Sequence, residues 1–400
     1  MIDGMLYLEG SPQEMGRAHG EVLRRAVRSN LRSFWGLMSE AGYHREEVSG
    51  VATRREGLLG AERLAEIEGL ARGAGLEYPE LLAYNLFGGL AFPDECSVMF
   101  SLGKATANGR TLFLKNSDKV GGASLVGPNF HRFKEINVVL AVTGAGGNRM
   151  LGAAAAGSTG LKLGMNDKGV AGGTNIARTV ELQEKSTDLT TIRAIDRAQL
   201  LRDGLEKNTA LEATQAIAGE VTAHPMGTPG NMEFADAREA YVIEGSYRQL
   251  AVETVRDGVA ARTNQFVLLK ALNRPDDISS YARWTRAMEL LKANAGRLTF
   301  ELMIEFSCDH ANGPGPNSLC RHGLRPEEEV SLAAGVMETD PGNPAQSRIA
   351  LALGKPCHAW RSAAGHVQLT MDVNPAGIPG GFRNGDVWKE FYREEPNERR

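Results

Sequence analysis

The sequence predicts a layered α/β or α+β fold in which sheets are covered by helices, and three observations support this prediction. Roughly the first 90 residues carry helical patterns. Short β-rich runs separated by Asn-Gly, Gly-Gly and Asp-Gly pairs follow them. Helical patterns then return between groups of strands, as expected for helices that pack on sheets. The 400 residues are enough for one large sandwich or for two domains.

Apolar spacing and capping residues predict the amino-terminal helices. Ser11 is a suitable N-cap, and Glu14 completes a capping box three residues later. Gly75 is a natural C-cap for the second helix because glycine adopts the left-handed conformation without strain. The predicted helices cover residues 11–38, 62–74 and 79–86.

Beyond Cys96, period-two patterns and turn residues predict strands, with helices between them. Asn108-Gly109 lies between two β-rich runs and predicts a hairpin directly after Cys96. The glycine-rich segment 144–147 lacks the Lys-Ser/Thr pair of a phosphate-binding loop and also fits a hairpin. The predicted strands are 111–115, 137–143, 240–244, 249–255, 330–337 and 366–373. The predicted helices are 190–205, 211–218, 280–293 and 299–306.

Composition and charge exclude several classes of function. A net charge of −4 provides no basic surface for nucleic acid or for an anionic membrane, so a small-molecule substrate is expected. No stretch approaches the roughly 18 apolar residues of a membrane-spanning helix. The first residues are acidic and apolar rather than basic, unlike a secretory signal, so we expect a cytoplasmic protein. The four cysteines are too scattered for a disulfide framework.

Cys96 lies where the helical patterns end and the strand patterns begin, directly after Glu95. A cysteine thiol titrates at about 8.5, so a nucleophilic cysteine needs a base. No histidine lies within 30 residues of Cys96 in the sequence. If the Glu95–Cys96 bond were cut, Cys96 would carry its own α-amine, whose pKa of about 7.7 to 8.0 suits a base at neutral pH. One residue would then supply both nucleophile and base, and no cofactor would be needed.

Several short motifs, in this order, resemble those of one known family. They are residues 11–20 (SPQEMGRAHG), 66–76 (EIEGLARGAGL), 96–97 (CS), 115–118 (KNSD), 164–170 (GMNDKGV), 262–264 (RTN) and 317–322 (NSLCRH). The chain is similar, over nearly its whole length, to the acyl-coenzyme A:isopenicillin N acyltransferase family of N-terminal nucleophile hydrolases. The resemblance implies a four-layer αββα sandwich with a helical amino-terminal segment. It also implies self-cleavage into an α chain (1–95) and a catalytic β chain (96–400).

The resemblance also implies roles for individual residues. Cys96 would be the nucleophile and Glu95–Cys96 the cleaved bond. Asp118 would position the cysteine and its amine, and Asn264 would donate into the oxyanion hole. The residues implied at the substrate are Arg321, Asn116 and Asn175. The chain departs from the family at Glu95, where the acyltransferase has glycine, and at Gln265, where histidine is common.

The expected activity is acyl chemistry through a thioester on Cys96. Water would complete the hydrolysis of a small acylated amine, whereas an amine acceptor would complete an acyl transfer, for which acyl-coenzyme A or another acyl thioester could be the co-substrate. The sequence alone leaves both outcomes open. It also leaves open the oligomeric state.

Two other classes of protein compete with this interpretation. An uncut Cys-His hydrolase would need His310 or His322 as its base. A non-catalytic binding protein would result if Glu95 blocked maturation. Cys308 and His310, with Cys320 and His322, also invite a zinc interpretation, but their one-residue spacers are tighter than usual zinc motifs, so no metal is expected.

Overall fold

In the computed structural model, two β-sheets stack face to face at the centre of the protein and helices cover both outer faces. The structure describes residues 5–91, 94–120, 135–144, 146–184, 195–323, 328–362 and 365–372. The strands are β1 (Met5–Leu8), β2 (Asp94–Leu102), β3 (Leu112–Val120), β4 (Asn137–Thr143), β5 (Arg149–Ala155), β6 (Leu163–Asn166), β7 (Ala171–Ile176), β8 (Gly230–Ala235), β9 (Ala240–Gly245), β10 (Leu250–Val255), β11 (Gly258–Arg262), β12 (Glu329–Glu338), β13 (Arg348–Leu353) and β14 (His366–Thr370).

Each sheet has a simple strand order. The eight-stranded sheet runs β1-β4-β5-β6-β7-β8-β9-β10, and the six-stranded sheet runs β11-β2-β3-β12-β13-β14. Neighbouring strands are antiparallel except for β1, which lies parallel to β4. The helices are α1 (Pro12–Val22), α2 (Arg24–Glu40), α3 (Arg45–Arg54), α4 (Ala61–Ala74), α5 (Tyr78–Ala91), α6 (Val180–Glu184), α7 (Arg197–Leu205), α8 (Ala210–Ala223), α9 (Ile278–Ala293), α10 (Phe300–Ser307) and α11 (Pro356–Ala359).

Three apolar cores define the four layers. One joins α1–α5, α7 and α8 to the outer face of the eight-stranded sheet. A second fills the space between the two sheets, with Val98, Phe100 and Phe113 from the six-stranded sheet. A third packs α9 and α10 on the outer face of that sheet, against Met99 and Leu114. The predicted αββα sandwich is therefore confirmed.

The amino-terminal segment is more varied than the predicted helical one. The Ser11–Glu14 capping box is present, and Gly75 caps α4 with φ of 62°. However, the helix predicted over 11–38 is divided at Leu23, whose φ of −103° and ψ of 22° separate α1 from α2. The segment also contributes β1 to the eight-stranded sheet and ends inside β2. It is thus built into the sandwich rather than attached beside it.

Most predicted strands and helices of the second part are present, with shifted ends. The hairpin predicted after Cys96 is formed by β2 and β3, and the one predicted at 144–147 by β4 and β5. The helix predicted over 190–205 begins at Arg197, capped by the Asp196 carboxylate, and residues 190–194 lie outside the described residues. The strand predicted to reach Val373 ends at Thr370, and Val373 itself is outside them. Within the described residues, no helix is long and apolar enough to cross a membrane.

Candidate active site

Cys96 lies inside β2, in the middle of the six-stranded sheet, and is fully buried. It pairs with Ser117 of β3, and Glu95 pairs with Asp118. Because side chains alternate along a strand, Cys96 shares its face with Val98 and points between the two sheets. Glu95 and Asp118 share the opposite face, toward α9 and α10. The strand register therefore separates the thiol from the two carboxylates.

The backbone of Cys96 is held by two polar side chains. Its N–H donates to Asn264 Oδ1 at 3.3 Å, and its carbonyl oxygen accepts from Arg283 Nη1 at 2.9 Å. Arg283 Nη2 also donates to Asn264 Oδ1 at 2.6 Å. One arginine and one asparagine thus fix both polar atoms of this residue's main chain.

Asn264 presents its oxygen, not its amide nitrogen, to Cys96. A guanidinium only donates hydrogen bonds, so the 2.6 Å contact with Arg283 fixes which atom of the amide faces it. The Asn264 Nδ2 atom donates instead to the carbonyl oxygen of Ile176 at 3.0 Å. In the uncut chain, Asn264 therefore acts as an acceptor for the nitrogen that cleavage would turn into an amine. Its implied role as an oxyanion donor stays a prediction.

Arg283 was absent from the residues selected by sequence. It lies on α9, is fully buried, and reaches the Cys96 carbonyl, Ser97 Oγ at 3.1 Å and Asn264. Burial and, to a smaller extent, nearby Arg321 lower the pKa of Arg283 to about 10, so the side chain stays protonated at neutral pH. A signal existed in the sequence, because the buried face of α9 is otherwise formed by small and apolar residues such as Ala287 and Leu291.

Glu95 is enclosed by arginines. Its Oε2 accepts from Arg321 Nη1 at 2.6 Å and lies 3.8 Å from Arg283 Nη2, and its Oε1 is paired with Arg178. Arg321 and Arg178 also contact Glu329, at 2.7 and 3.1 Å. Buried charges need such partners to offset their desolvation. Arg321 therefore lies at the predicted site, where its partner in the uncut chain is Glu95.

Asp118 is the second buried carboxylate of this cluster. Its Oδ1 accepts from Ser331 Oγ at 2.6 Å, and its Oδ2 lies 3.7 Å from Arg321 Nη1. Burial raises the pKa of Asp118, although Arg321 and Arg283 oppose the rise. Asp118 is opposite Glu95 in the sheet, adjacent to the bond expected to break. Its predicted role in positioning the amine is compatible with this location but is not tested by it.

The two predicted substrate-binding asparagines lie on different faces. Asn116 faces α10, and its Nδ2 donates to the carbonyl oxygens of Ser307 and Leu319 at 2.9 and 2.8 Å. These two hydrogen bonds join the strand to the end of α10 and to the segment before β12. Asn175 donates to the carbonyl oxygen of Thr263, beside Asn264. The buried Oδ1 of Asn175 has no hydrogen-bond partner among the described residues. The buried Oδ1 of Asn116 likewise has none there, so both asparagines keep an acceptor available.

The layer between the sheets is unusually polar near Cys96. Asn231, opposite Asn175 in the eight-stranded sheet, also has an Oδ1 without a partner among the described residues. Lys115 is fully buried and donates from Nζ to the carbonyl oxygen of Lys162 at 2.8 Å. Burial raises the pKa of Glu233 to about 8, and neither of its oxygens has a hydrogen-bond partner within the described residues. Such groups are costly in an apolar interior, so this region is suited to polar contacts.

The histidines of the competing Cys-His interpretation lie elsewhere. His310 Nε2 contacts His322 Nε2 at 3.0 Å, and His322 Nε2 contacts Cys357 Sγ at 3.2 Å. The Arg321 side chain reaches Glu95, whereas its neighbour His322 contacts Cys357. The structure therefore does not favour either histidine as the base for Cys96.

A cavity of about 650 Å³ lies at the other side of the eight-stranded sheet. Its lining includes Met15 of α1, Glu66 of α4, Arg202 of α7 and Glu206, which directly follows α7. Cys96 does not line it. The cavity therefore does not serve the candidate site.

No protein-family model and no curated protein matches the chain. Among solved structures, it is similar to an N-acylethanolamine-hydrolyzing acid amidase ortholog from Caenorhabditis elegans, with 17% identity and a TM-score of 0.41, covering 60% of this chain and 92% of that one. Penicillin V acylase from Agrobacterium tumefaciens has 11% identity, a TM-score of 0.38, and coverage of 72% and 95%. A conjugated bile acid hydrolase variant from Clostridium perfringens has 12% identity, a TM-score of 0.40, and coverage of 72% and 98%.

Proposed function

We propose that the chain is the precursor of an N-terminal cysteine amidohydrolase or N-acyltransferase, which cuts itself between Glu95 and Cys96. The proposal rests on two hydrogen bonds to the Cys96 main chain: its N–H donates to Asn264, and its carbonyl oxygen accepts from Arg283. Buried main-chain groups inside a sheet are usually paired by a neighbouring strand, but β11 pairs with β2 only from Val98 onward, and buried side chains hold Cys96 instead. Both contacts fit a residue whose nitrogen becomes a catalytic amine.

The buried position of Cys96 explains why the intact chain would be a precursor. The side chain is fully buried, so the carbonyl carbon of an external substrate has no route to the thiol. Removal of the bond to Glu95 frees the strand end and creates the amine in one step. Activation and exposure would then be the same event.

The self-cleavage step is an N-to-S acyl shift. The Cys96 sulfur attacks the Glu95 carbonyl carbon, the thiol proton moves to the Cys96 nitrogen, and the C–N bond breaks to leave a thioester. Water then cleaves the thioester, giving the Glu95 carboxylate and the Cys96 thiol. The new α-amine would lie against Asn264 Oδ1, which would accept a hydrogen bond from it and so orient its lone pair.

Turnover repeats the same chemistry on a substrate. The α-amine accepts the thiol proton, Cys96 attacks the substrate carbonyl carbon, and the amine returns the proton to the leaving nitrogen. An acyl-thioester on Cys96 results. Attack by water completes an amide hydrolysis, and attack by a second amine completes an acyl transfer.

The contacts of Glu95 also suggest the kind of acyl group. During self-cleavage Glu95 is itself the acyl part, and its carboxylate is bound by Arg321 and Arg178. Arg178, Arg283 and Arg321 face Glu95, Asp118 and Glu329, so departure of Glu95 would remove one carboxylate from this cluster and leave its place at Arg321 and Arg178 to another carboxylate. We therefore favour substrates whose acyl chain ends in a carboxylate.

Intact-mass spectrometry of purified protein tests the proposal. Wild type should give pieces of 95 and 305 residues, and the second should begin with Cys-Ser-Val-Met-Phe. Cys96→Ala should remain one chain and be inactive, with Cys308→Ala as a matched cysteine control that is cut like wild type. An uncut, active wild type would favour a conventional hydrolase. An uncut, inactive wild type would favour a binding protein.

The substrate assignment needs a second comparison. Amides of one amine, acylated either with a dicarboxylic acid or with a neutral acid of equal length, would be offered to the cut enzyme, with product detection by mass. Faster turnover of the charged amide in wild type, and loss of that preference in Arg321→Gln, are expected. Equal rates for the two amides would remove Arg321 from acyl recognition without affecting the self-cleavage result.

A further inference from the structure

We propose that His310, Cys320, His322 and Cys357 bind one Zn²⁺ ion. The four side chains converge on the outer side of the six-stranded sheet, away from the Cys96 thiol. They come from the segment after α10, the segment before β12, and α11. This inference is independent of the proposed acyl chemistry.

The ligand atoms are as close together as a tetrahedral site requires. All four lie within 4.8 Å of one another. With Zn–N and Zn–S bonds of about 2.05 and 2.3 Å, neighbouring ligand atoms in a tetrahedron are roughly 3.4 to 3.8 Å apart. The observed contacts from His322 Nε2 are 3.0 Å to His310 Nε2 and 3.2 Å to Cys357 Sγ. Small outward movements would therefore complete the coordination sphere.

Hydrogen bonding alone satisfies this arrangement poorly. An imidazole nitrogen has either one proton or one lone pair, yet His322 Nε2 has two short contacts. A cation placed among these atoms would accept a lone pair from each of them. The two cysteines are buried and the two histidines half-buried, so the ion would be shielded from water on the sulfur side.

The donor set selects the metal. Two thiolates and two imidazoles in a tetrahedral arrangement are typical of structural zinc, whereas magnesium and calcium prefer oxygen ligands. All four positions of the tetrahedron are occupied by the protein, which leaves no open position for substrate or water. The site therefore fits a structural rather than a catalytic ion.

The four proposed ligands differ from the four Cys and His residues that the sequence pattern suggests. Cys308, which the sequence places beside His310 in a Cys-x-His pattern, is not among the four, and Cys357 takes its place. Cys320 and His322 are two residues apart, and their ligand atoms are among the four that lie within 4.8 Å of one another. The intervening Arg321 points the other way, toward Glu95.

The location gives the ion a defined structural task. Cys320 and His322 flank Arg321, which contacts Glu95 and Glu329 at 2.6 and 2.7 Å. The ion would fasten this segment to α11 and to the end of α10, and would hold the Arg321 backbone in place. Ser331 holds the same main chain from the other side, because its Oγ accepts from the Arg321 N–H and its N–H donates to the Arg321 carbonyl oxygen, each at 3.0 Å.

Two other uses of these cysteines are less consistent with their surroundings. A nucleophilic thiol needs access to its substrate, but Cys320 is fully buried and Cys308 is half-buried. A Cys320–Cys357 disulfide would use both sulfurs and leave His310 and His322 in contact with no shared ligand. Thiol counting separates these states from a zinc site.

The experiment measures metal in the full chain, expressed without a polyhistidine tag and purified without chelator. Elemental analysis should give about one zinc per chain, and Cys320→Ser and His310→Ala should each retain below about a tenth of that. Cys308→Ser and His358→Ala are matched controls that should retain it. His358 is a suitable control because its ring only packs edge-on against His322, with centroids 5.5 Å apart.

A second measurement uses wild type, so it tests the site even if the variants fail to fold. Wild type, stripped of metal and given Co²⁺, should show the intense visible absorption of a tetrahedral thiolate complex, and zinc should displace it. We expect thiol titration of the denatured protein to give four reactive thiols, since the chain has four cysteines and none would be lost to a disulfide. Absence of zinc together with absence of a cobalt spectrum would overturn the proposal, as would the loss of two thiols to a disulfide.

Discussion

Arg283 shows how a residue can organise a site without any sequence motif. Its guanidinium contacts the Cys96 carbonyl, Ser97 and Asn264 from the opposite side of the sheet to the thiol. Cys96, Asp118 and Asn264 could be selected from sequence because they stand in short recognisable patterns. Arg283 stands in none, and only its location on the buried face of α9 distinguishes it from a surface arginine.

Replacement of Arg283 by lysine tests this organising role. The ammonium keeps the charge but lacks the planar fork, so it cannot hold the Cys96 carbonyl and Asn264 Oδ1 together. We expect self-cleavage to slow by at least about tenfold, since the amide and the amine position would lose alignment. The rate would be followed as loss of the full-length band with time. Arg286→Lys, at a half-exposed Asp309 pair on the same helix, should cleave at the wild-type rate.

Glu233 gives a prediction about pH at the same scale. Burial raises its pKa to about 8, so the folded protein binds this proton more tightly than the unfolded chain. Its contribution to stability is complete below about pH 4.5 and is lost as the pH rises through about 8. Glu233→Gln should therefore unfold at nearly wild-type denaturant concentration at low pH but at higher concentration near pH 9. This expectation would be contradicted if the denaturant midpoints of wild type and Glu233→Gln changed with pH in the same way.

At the scale of elements, the glycines of the family-like motifs have a packing role. Gly16 and Gly20 on α1 face Gly69 and Gly73 on α4, and the two helices approach to backbone contact. A Cβ atom on Gly69 would lie 2.1 Å from the carbonyl oxygen of Gln13, which cannot move without shifting α1. These motifs therefore report on the helix pair and not on catalysis.

Gly69→Ala should separate α1 from α4 and lower the free energy of unfolding by about 1 to 3 kcal/mol, or more if α1 detaches. Denaturant titration followed by circular dichroism measures this change. Gly219→Ala is the control, because nothing lies within 4 Å of its added Cβ on exposed α8, and the better helix propensity of alanine should stabilise by up to about 1 kcal/mol. Equal effects at both positions would reject the close helix contact as the cause.

Four of the strands that sequence analysis missed share a physical reason. β5–β8 are rich in glycine and alanine and are buried on both faces, so they show neither strand propensity nor alternation. A Cβ added to Gly173 would lie 3.1 Å from Lys115 Cδ and 3.2 Å from Phe113 Cζ of the other sheet, tighter than ordinary van der Waals contact, which favours glycine there. Strands with one exposed face, such as β10, were predicted nearly to the residue.

The whole molecule joins the segment before Cys96 to the segment after it in one core. Leu6, Phe34 and Leu82 belong to the same apolar cluster as Leu140 and Ile243. A layered arrangement was predictable because groups of strand patterns alternate with helical patterns, and the resemblance to the acyltransferase family implied the four layers. The shared core was not, because contacts between residues more than 100 positions apart leave no local pattern. The grouping of His310 with Cys357, which lies 47 positions further along the chain, likewise leaves no local pattern.

This shared core predicts that the two pieces stay together after cleavage. Native mass spectrometry or gel filtration of the cut protein should show a single species of 43.1 kDa or a multiple of it, whereas a denaturing gel shows two bands. Separation of the pieces in native buffer, without denaturant, would contradict the shared core as the source of cohesion.

The parallel pairing of β1 with β4 has a consequence for protein production. Residues 5–8 occupy one flank of the eight-stranded sheet, where they satisfy main-chain groups of β4 that would otherwise be exposed. A truncated protein that starts at Cys96 would leave this flank bare, next to apolar Val138 and Leu140. Expression of the catalytic part alone would then yield inclusion bodies, and the amino-terminal part would have to be co-expressed as its solubilising companion.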